Sequence, residues 1–439
     1  GKIFKLIVNI FGYSFLTLFL VGIFYYYSSN LNKSYSPSAL LLKINDKILV
    51  RYLGFNVRLA SDYLNIIGFN LSKSFKKNNL PNVYLQISQK SILGLELQRK
   101  IKEEKGGPIP DNMKIWYPAK IQIEDEIYRV KIKLKGNRFI HWSNKKETSY
   151  KIDTRGDKRI WDLEEFSFQK PITKNYTYEY LFHKLLGYVG LTNIDYRFVN
   201  LFFNDQNLGV YALEESFSED LLIRQNMKSG QIFTIRGELG ELFPNIFFEL
   251  YSDQYWKSEK PEVTKNLFFI LNNIRDQNYH VNDYFDIDKW AKFFAIIDLT
   301  GAYHGSMFGS SKIYYNPETK LLEPIGYDLH KGDGSFEDFI LADLLDNRRK
   351  PKCSWICDYK QFYDIFFKNL DGELNYEFLK KYSYYLKEYS SKNFIEKFLK
   401  EYENELNKYN IAIYQDNSKT DIAGRKGLGF FVYDEEYLF

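Results

Sequence analysis

Cysteine is almost missing from this 439-residue chain. Cys353 and Cys357 are the whole supply, too few for a disulfide scaffold and without the second ligand pair that a structural zinc site needs. They read as idle thiols or one local bridge. An excess of charge of one sign is missing too. Lys and Arg number 60 against 56 Asp and Glu, a net of +4, so no global field gathers nucleic acid or another polyanion, and partners must be sought at individual sites. Aromatic residues, by contrast, are abundant: 37 Tyr and 37 Phe bring the aromatic share to 18%, enough for a substantial core. The length exceeds one average domain but suits a single large α+β core with additions.

Near the start, "LIVNIFGYSFLTLFLVGIFYYY" (6–27) carries no charge and as a helix would reach about 33 Å, the thickness of a bilayer core. Lys2 and Lys5 precede it and Tyr25, Tyr26 and Tyr27 close it. This pattern predicts a single membrane anchor with its N-terminus in the cytoplasm and the rest of the chain outside. The alternative, a cleaved signal peptide, would have a shorter apolar run and small residues after it. A polar stalk, "SSNLNKSYSPS", follows, and the breaker-rich "KGGPIPDN" (105–112) marks a boundary. The organisation read from the chain is therefore an anchor at 1–30, a stalk and mixed region at 31–110, a core at 111–345 and a helical region at 346–439.

Within that core, "AKIQIEDEIYRVKIKLKGN" alternates Ile121 and Ile123, then Val130, Ile132 and Leu134, on either side of a charged turn, which predicts a β-hairpin. Its second strand runs into Gly136-Asn137, and strand character resumes at "SYKID" (149–153). A Gly-Asn turn exposes backbone N–H groups and a lysine on the next strand reaches the same space, an arrangement suited to a polyphosphate; an ordinary hairpin with a solvated basic loop has the same appearance. "KNYTYEYLFHKLLGYVGL" places Tyr178, Leu181, Phe182, Leu185 and Leu186 at helical spacing, with a stop near Gly187 or Gly190. His183 reads as a residue of that helix and not as a ligand. "RFVNLFFNDQNLGVYALEE" predicts a second hairpin about the turn "NDQN". Glu214 and Glu215 close it, and because side chains alternate one of them must face inward. Adjacent strand residues point opposite ways, so this pair cannot flank one glycosidic bond, which argues against a hydrolase.

Further on, "DIDKWAKFFAIIDLTGAYHG" predicts a helix capped by Asp286 or Asp288, with Asp298 and His304 at or just beyond its end. "SSKIYYNPETKLLEPIGYD" then reads as strand, Asn-Pro turn and strand, which carries Asp328 back toward Asp298 and His304. An acid at a strand end can hold the Mg²⁺ that bridges phosphate oxygens, while a second polar group orients an acceptor hydroxyl. Beyond the core, "NYEFLKKYSYYLKEY" and "NFIEKFLKEYENEL" have the spacing of helices packed on a lobe.

Taken in order, "KLKGNRFIHW", "KKETSYKI", "KNYTYEYLFHKLLGYVGL", "VNLFFNDQNLGVYALEE" and "YYNPETKLLEPIGYD" resemble the spore-coat CotH kinase family over roughly 120–335. The resemblance implies an α+β, atypical protein-kinase-like fold with antiparallel hairpins and a helical lobe, here with an N-terminal transmembrane helix. It also implies ATP and Mg²⁺ as cofactors, and Ser or Thr of a surface or envelope protein as acceptor. By position, Gly136 and Asn137 would belong to the phosphate-proximal turn, Lys151 would be the strand lysine, Glu214 or Glu215 the acid at the hairpin end and Asp328 the metal ligand. The family's acid after the helix is replaced here by "GAYHGSMFGSSK", and "YDLH" puts His330 where a second acid often lies. Asp298 and His304 are the remaining candidates to activate the acceptor. A pseudokinase or scaffold for envelope or coat assembly is the alternative that these departures raise.

Overall fold

The computed structural model describes residues 78–105, 115–136, 141–142, 148–155, 158–174, 176–237, 242–243, 245–328, 340–345 and 359–417. Asn137, His330 and both cysteines fall outside them, as does the apolar run 6–27. The described chain opens with β1 (Asn82–Ile87) and α1 (Gln89–Lys105), followed by β2 (Tyr117–Ile123), β3 (Glu126–Leu134), β4 (Tyr150–Thr154) and β5 (Glu165–Gln169). A 3-10 turn (Pro171–Lys174) leads into α2 (Tyr178–Tyr188), then β6 (Tyr196–Phe203) and β7 (Gln206–Glu215).

These strands correct the expected fold class. In place of the expected α+β class, the architecture is mixed α/β, and the antiparallel hairpins β2-β3 and β6-β7 are parts of a closed seven-stranded barrel, β1-β2-β3-β4-β5-β7-β6. The closing strand comes from the stretch 31–110, which by sequence reads only as a stalk and mixed region. Val83, Leu85 and Ile87 of β1 point inward, and β1 pairs antiparallel with β2 on one side and parallel with β6 on the other, Asn82 opposite Asn200. Closure leaves the barrel no free sheet edge. Among the described residues no helix is long and apolar enough to cross a membrane; the run 6–27, on which the expected transmembrane helix falls, lies outside them.

The barrel interior follows from alternation. Ile121, Val130, Ile132, Ile152, Phe166, Phe168, Val199, Leu201, Tyr211 and Leu213 fill it. The opposite faces of β6 and β7 carry Tyr196, Phe198, Val210 and Ala212 into a second, larger core shared with the helices. That outer face also carries Glu214.

After β7 come α3 (Glu219–Arg224), β8 (Ile232–Arg236), β9 (Phe247–Leu250), α4 (Asp253–Glu259), α5 (Pro261–Arg275), a single turn α6 (Val281–Tyr284) and α7 (Ile287–Thr300). β10 (Lys312–Tyr315) and β11 (Leu322–Ile325) complete a four-stranded sheet in the order β11-β10-β8-β9. Three helices finish the described chain: α8 (Lys360–Phe367), α9 (Tyr376–Tyr389) and α10 (Lys392–Asn417). The helix start expected at Asp286 is made by its side chain, which accepts from the Lys289 N–H. Trp290, Phe293 and Phe294 of α7 then pack with Phe362, Phe366, Phe367 and Phe378, where the abundance of aromatic residues is spent.

Candidate active site

Two lysines and three carboxylates meet between the barrel's outer face and α2. Lys135 leaves the end of β3, and its Nζ donates to Glu214 at the end of β7. It donates also to Gln169 Oε1 of β5 at 3.0 Å, while Gln169 Nε2 reaches the other Glu214 oxygen at 2.8 Å. Lys174, the last residue of the 3-10 turn, stands 3.9 Å from Glu214 and 4.0 Å from Glu179, in the first turn of α2. Its ammonium pairs with Asp328. Glu179 in turn accepts from the Asp328 backbone N–H at 3.0 Å.

Asp328 is delivered by a close approach of chain to helix. β11 ends at Ile325, and the next residue, Gly326, lies so near α2 that a Cβ there would stand 1.9 Å from Leu186 Cδ1. Only glycine fits without displacing the helix side chains. Two residues later Asp328 takes a left-handed conformation with φ 54°, uncommon for a residue with a side chain and found where surrounding structure enforces it. His304 sits in the 3-10 turn after α7, its Nδ1 3.1 Å from the Asp328 carbonyl oxygen and 3.2 Å from Oδ2.

Burial and pairing set the charges. Burial alone would push the Asp328 carboxyl up, but Lys174 and His304 overcome it and hold the group well below the usual carboxylate range. Glu214 is likewise disfavoured by burial, yet Lys135 and Lys174 hold its carboxyl down. For Lys174 the loss of hydration is outweighed by Asp328, Glu179 and Glu214, and its ammonium is stabilised. The site therefore keeps ionised carboxylates and an ionised amine in contact inside the protein.

Of the residues expected from sequence, Asp328, Glu214 and His304 converge here. Gly136 lies beside the cluster: it follows Lys135, has φ 81°, and its carbonyl accepts from Lys102 of α1. Lys151 does not enter. On the outer face of β4 its Nζ pairs with Glu165 at 2.6 Å, both side chains about a third exposed. Glu215 is buried against Arg224. Asp298 is tethered elsewhere, accepting from the Leu341 N–H at 2.9 Å and from the Tyr382 hydroxyl. Burial pushes its carboxyl up to about 7, and it anchors α9 and the turn at Leu341 to α7.

Four residues of the cluster escape a reading of the sequence: Lys135, Gln169, Lys174 and Glu179. A signal exists for Lys135, which stands where the strand's alternation stops, directly before Gly136. None exists for Lys174, whose partner lies 154 residues away.

The donors present are carboxylate oxygens and lysine amines, the former suited to a hard cation. Among the described residues no group of three or more His, Cys, Asp or Glu side chains is arranged to bind a metal. Mg²⁺ is commonly held by one or two carboxylates, with substrate phosphates and water completing its octahedron. Asp328, oxygen-donating and kept ionised, fits that role, and the two lysines fit the phosphates.

No curated protein matches the chain. The family model described as CotH kinase protein matches residues 132–424. This span begins in β3, includes every residue of the cluster and runs past the three C-terminal helices. The chain belongs to the CotH kinase protein family.

Proposed function

We propose that this cluster binds a nucleoside triphosphate with Mg²⁺ and transfers its terminal phosphoryl group to a Ser or Thr hydroxyl of a surface or envelope protein. One observation carries the reading: Asp328, in an enforced left-handed conformation, is held ionised against the buried Lys174, beside a second buried pair, Lys135 and Glu214. Phosphoryl transfer is chiefly positioning and charge stabilisation, and these groups supply both. Asp328 would hold the metal, which when bound screens the charge between phosphate oxygens. Lys174 would exchange its carboxylate partner for phosphate, and Lys135 would be kept in place by Glu214 and Gln169. His304 orients Asp328 through its backbone and side chain.

A second reading, a scaffold with impaired transfer, is favoured by the placement of Asp298. Its carboxyl is fully engaged away from the cluster, so it is not available to take the acceptor's proton. The deciding experiment is incubation of the purified chain with γ-labelled ATP and Mg²⁺, beside Asp328→Asn. Label on protein that is lost in the variant supports the kinase reading. Nucleotide binding without label supports the scaffold, and absence of both sinks the nucleotide site.

A further inference from the structure

One face of the four-stranded sheet turns away from the large core. Along β10, Ile313 and Tyr315 enter that core, while Tyr314 packs with Ile232 and Leu222 on the other side. Lys312 shares the face of Tyr314 by alternation. It is only 4% exposed. Its Nζ donates to the Ser310 carbonyl at 2.7 Å, and three rings surround it, with centroids at 5.1 Å (Tyr327), 5.8 Å (Phe217) and 5.9 Å (Tyr251). The rings offer π density, but the carboxylates that act on this amine, Asp328 and Glu249, do so only through space, while Arg236 and Lys174 repel it. Burial, reinforced by Arg236, pulls the ammonium down to about 7. An amine so enclosed, with no anion touching it among the described residues, is an incomplete arrangement.

Its position says what would complete it. Phe217 and Tyr251 are also walls of a cavity of about 310 Å³ that includes Glu164, Glu219 and Tyr255, and Tyr327 immediately precedes Asp328. Lys312 thus stands behind a wall of rings between that cavity and the cluster. Phe217, Tyr251 and Tyr327 are each only partly buried, so the rings that cover Nζ themselves reach the surface. The acids in the cavity disfavour negative charge there, so a ligand lying across it would direct its anionic end toward Lys312.

We propose that Lys312 is a further anion-recognition residue beside the cluster, completed by an oxyanion of the polyphosphate that the cluster takes up. The proposal rests on the nucleotide reading above and adds an interaction to it. The test measures binding of Mg²⁺-tripolyphosphate and of Mg²⁺-ATP to the full chain by calorimetry, wild type against Lys312→Met. Without the charge-assisted hydrogen bond from Nζ, both ligands should bind roughly 10-fold more weakly or worse. The variant's Tm should be unchanged or higher, because a buried cation that no anion touches has been replaced by an apolar side chain of similar volume. A measurement that needs no variant accompanies it: acetylation of Lys312 by acetic anhydride in the wild type, followed by peptide mass analysis, should slow when Mg²⁺-tripolyphosphate is present. Equal binding by variant and wild type, or no protection, overturns the assignment of Lys312 while leaving the nucleotide site standing. Weakening confined to ATP overturns the phosphate assignment. Failure of the wild type to bind either ligand overturns the nucleotide reading, and this proposal with it.

Discussion

Replacing Lys174 by Met removes a cation that faces Asp328, Glu214 and Glu179 together. The lysine side chain is 6% exposed, and its partners are 25%, 3% and 0% exposed respectively. Breaking a buried pair by removing one partner costs about 3–5 kcal/mol, because the other charge stays behind without compensation. For a domain of this size, at about 2 °C per kcal/mol, the midpoint should fall by about 6–10 °C. The pH dependence separates this cause from a packing defect. In the wild type Asp328 and Glu214 are depressed, so their contribution is complete above the unfolded values near 4 and is lost only as pH falls through the lower folded ones. In the variant burial acts on Asp328 unopposed by Lys174, and the deficit grows as pH rises above about 4. Thermal unfolding at pH 5 and pH 8 should therefore show the gap between variant and wild type wider at pH 8. A drop below about 2 °C, or a gap that is the same at both pH values, would refute the assignment of Lys174 as the counter-charge of the cluster.

Three further expectations follow from placement. Lys135→Met should abolish ATP binding measured by calorimetry, whereas Lys151→Met should leave it intact and change stability by no more than about 1 kcal/mol, since its pair with Glu165 is partly exposed; the reverse pattern would move the phosphate site to β4. Asp298→Asn should gain stability relative to wild type as pH rises from 5 to 8, because a carboxyl raised to about 7 in the folded chain costs stability progressively above its unfolded value near 4. Phosphorylation should persist in that variant, and its loss in a folded protein would place Asp298 in the chemistry. Gly326→Ala puts a Cβ 1.9 Å from Leu186 Cδ1 and 2.9 Å from Phe182 Cε1, so it should cost roughly 1–3 kcal/mol in denaturant unfolding; a neutral result would mean that α2 is not held against the strand end.

The parts of the fold that are legible in the sequence are those whose hydrogen bonds are local. The hairpins β2-β3, β6-β7 and β10-β11 and the capped helix α7 can be read because turn chemistry and alternation act within about twenty residues. Barrel closure cannot be read. It rests on β1 meeting β6, where Asn82 and Asn200 bond across 118 residues, and nothing in "NVYLQI" states which strand it will pair with. The same distinction runs through the site. Asp328 can be found because a strand end, a glycine and an acid stand together, and Glu214 because two acids close a strand. Lys135 is masked by its neighbours: Lys131 and Lys133 also lie on β3, and only the end of the strand, not the residue type, sets the third one apart. Lys151 looks equivalent by alternation, but β4 turns it to Glu165 on the barrel's outer face.

The cluster pairs its own charges, and that bears on how it would act. Lys174 has a carboxylate in Asp328, and Lys135 has one in Glu214, so on the proposed reading binding of a metal polyphosphate would be an exchange of partners. The Lys135–Glu214 pair, with Gln169 bridging and both side chains largely buried, is the rigid half, set on barrel strands. The Lys174–Asp328 pair is the half open to exchange: Asp328 is the most exposed member at 25% and is held through backbone contacts to Glu179 and His304 that do not depend on its carboxylate. On the proposed reading, the Asp328 carboxylate would hold the cation and Lys174 would face phosphate, with the backbone of Asp328 kept by Glu179 and His304. Positioning without reorganisation of the main chain is what an electrostatic catalyst requires. Lysines on one side and acids on the other would suit a cation bound together with phosphate better than a cation bound alone.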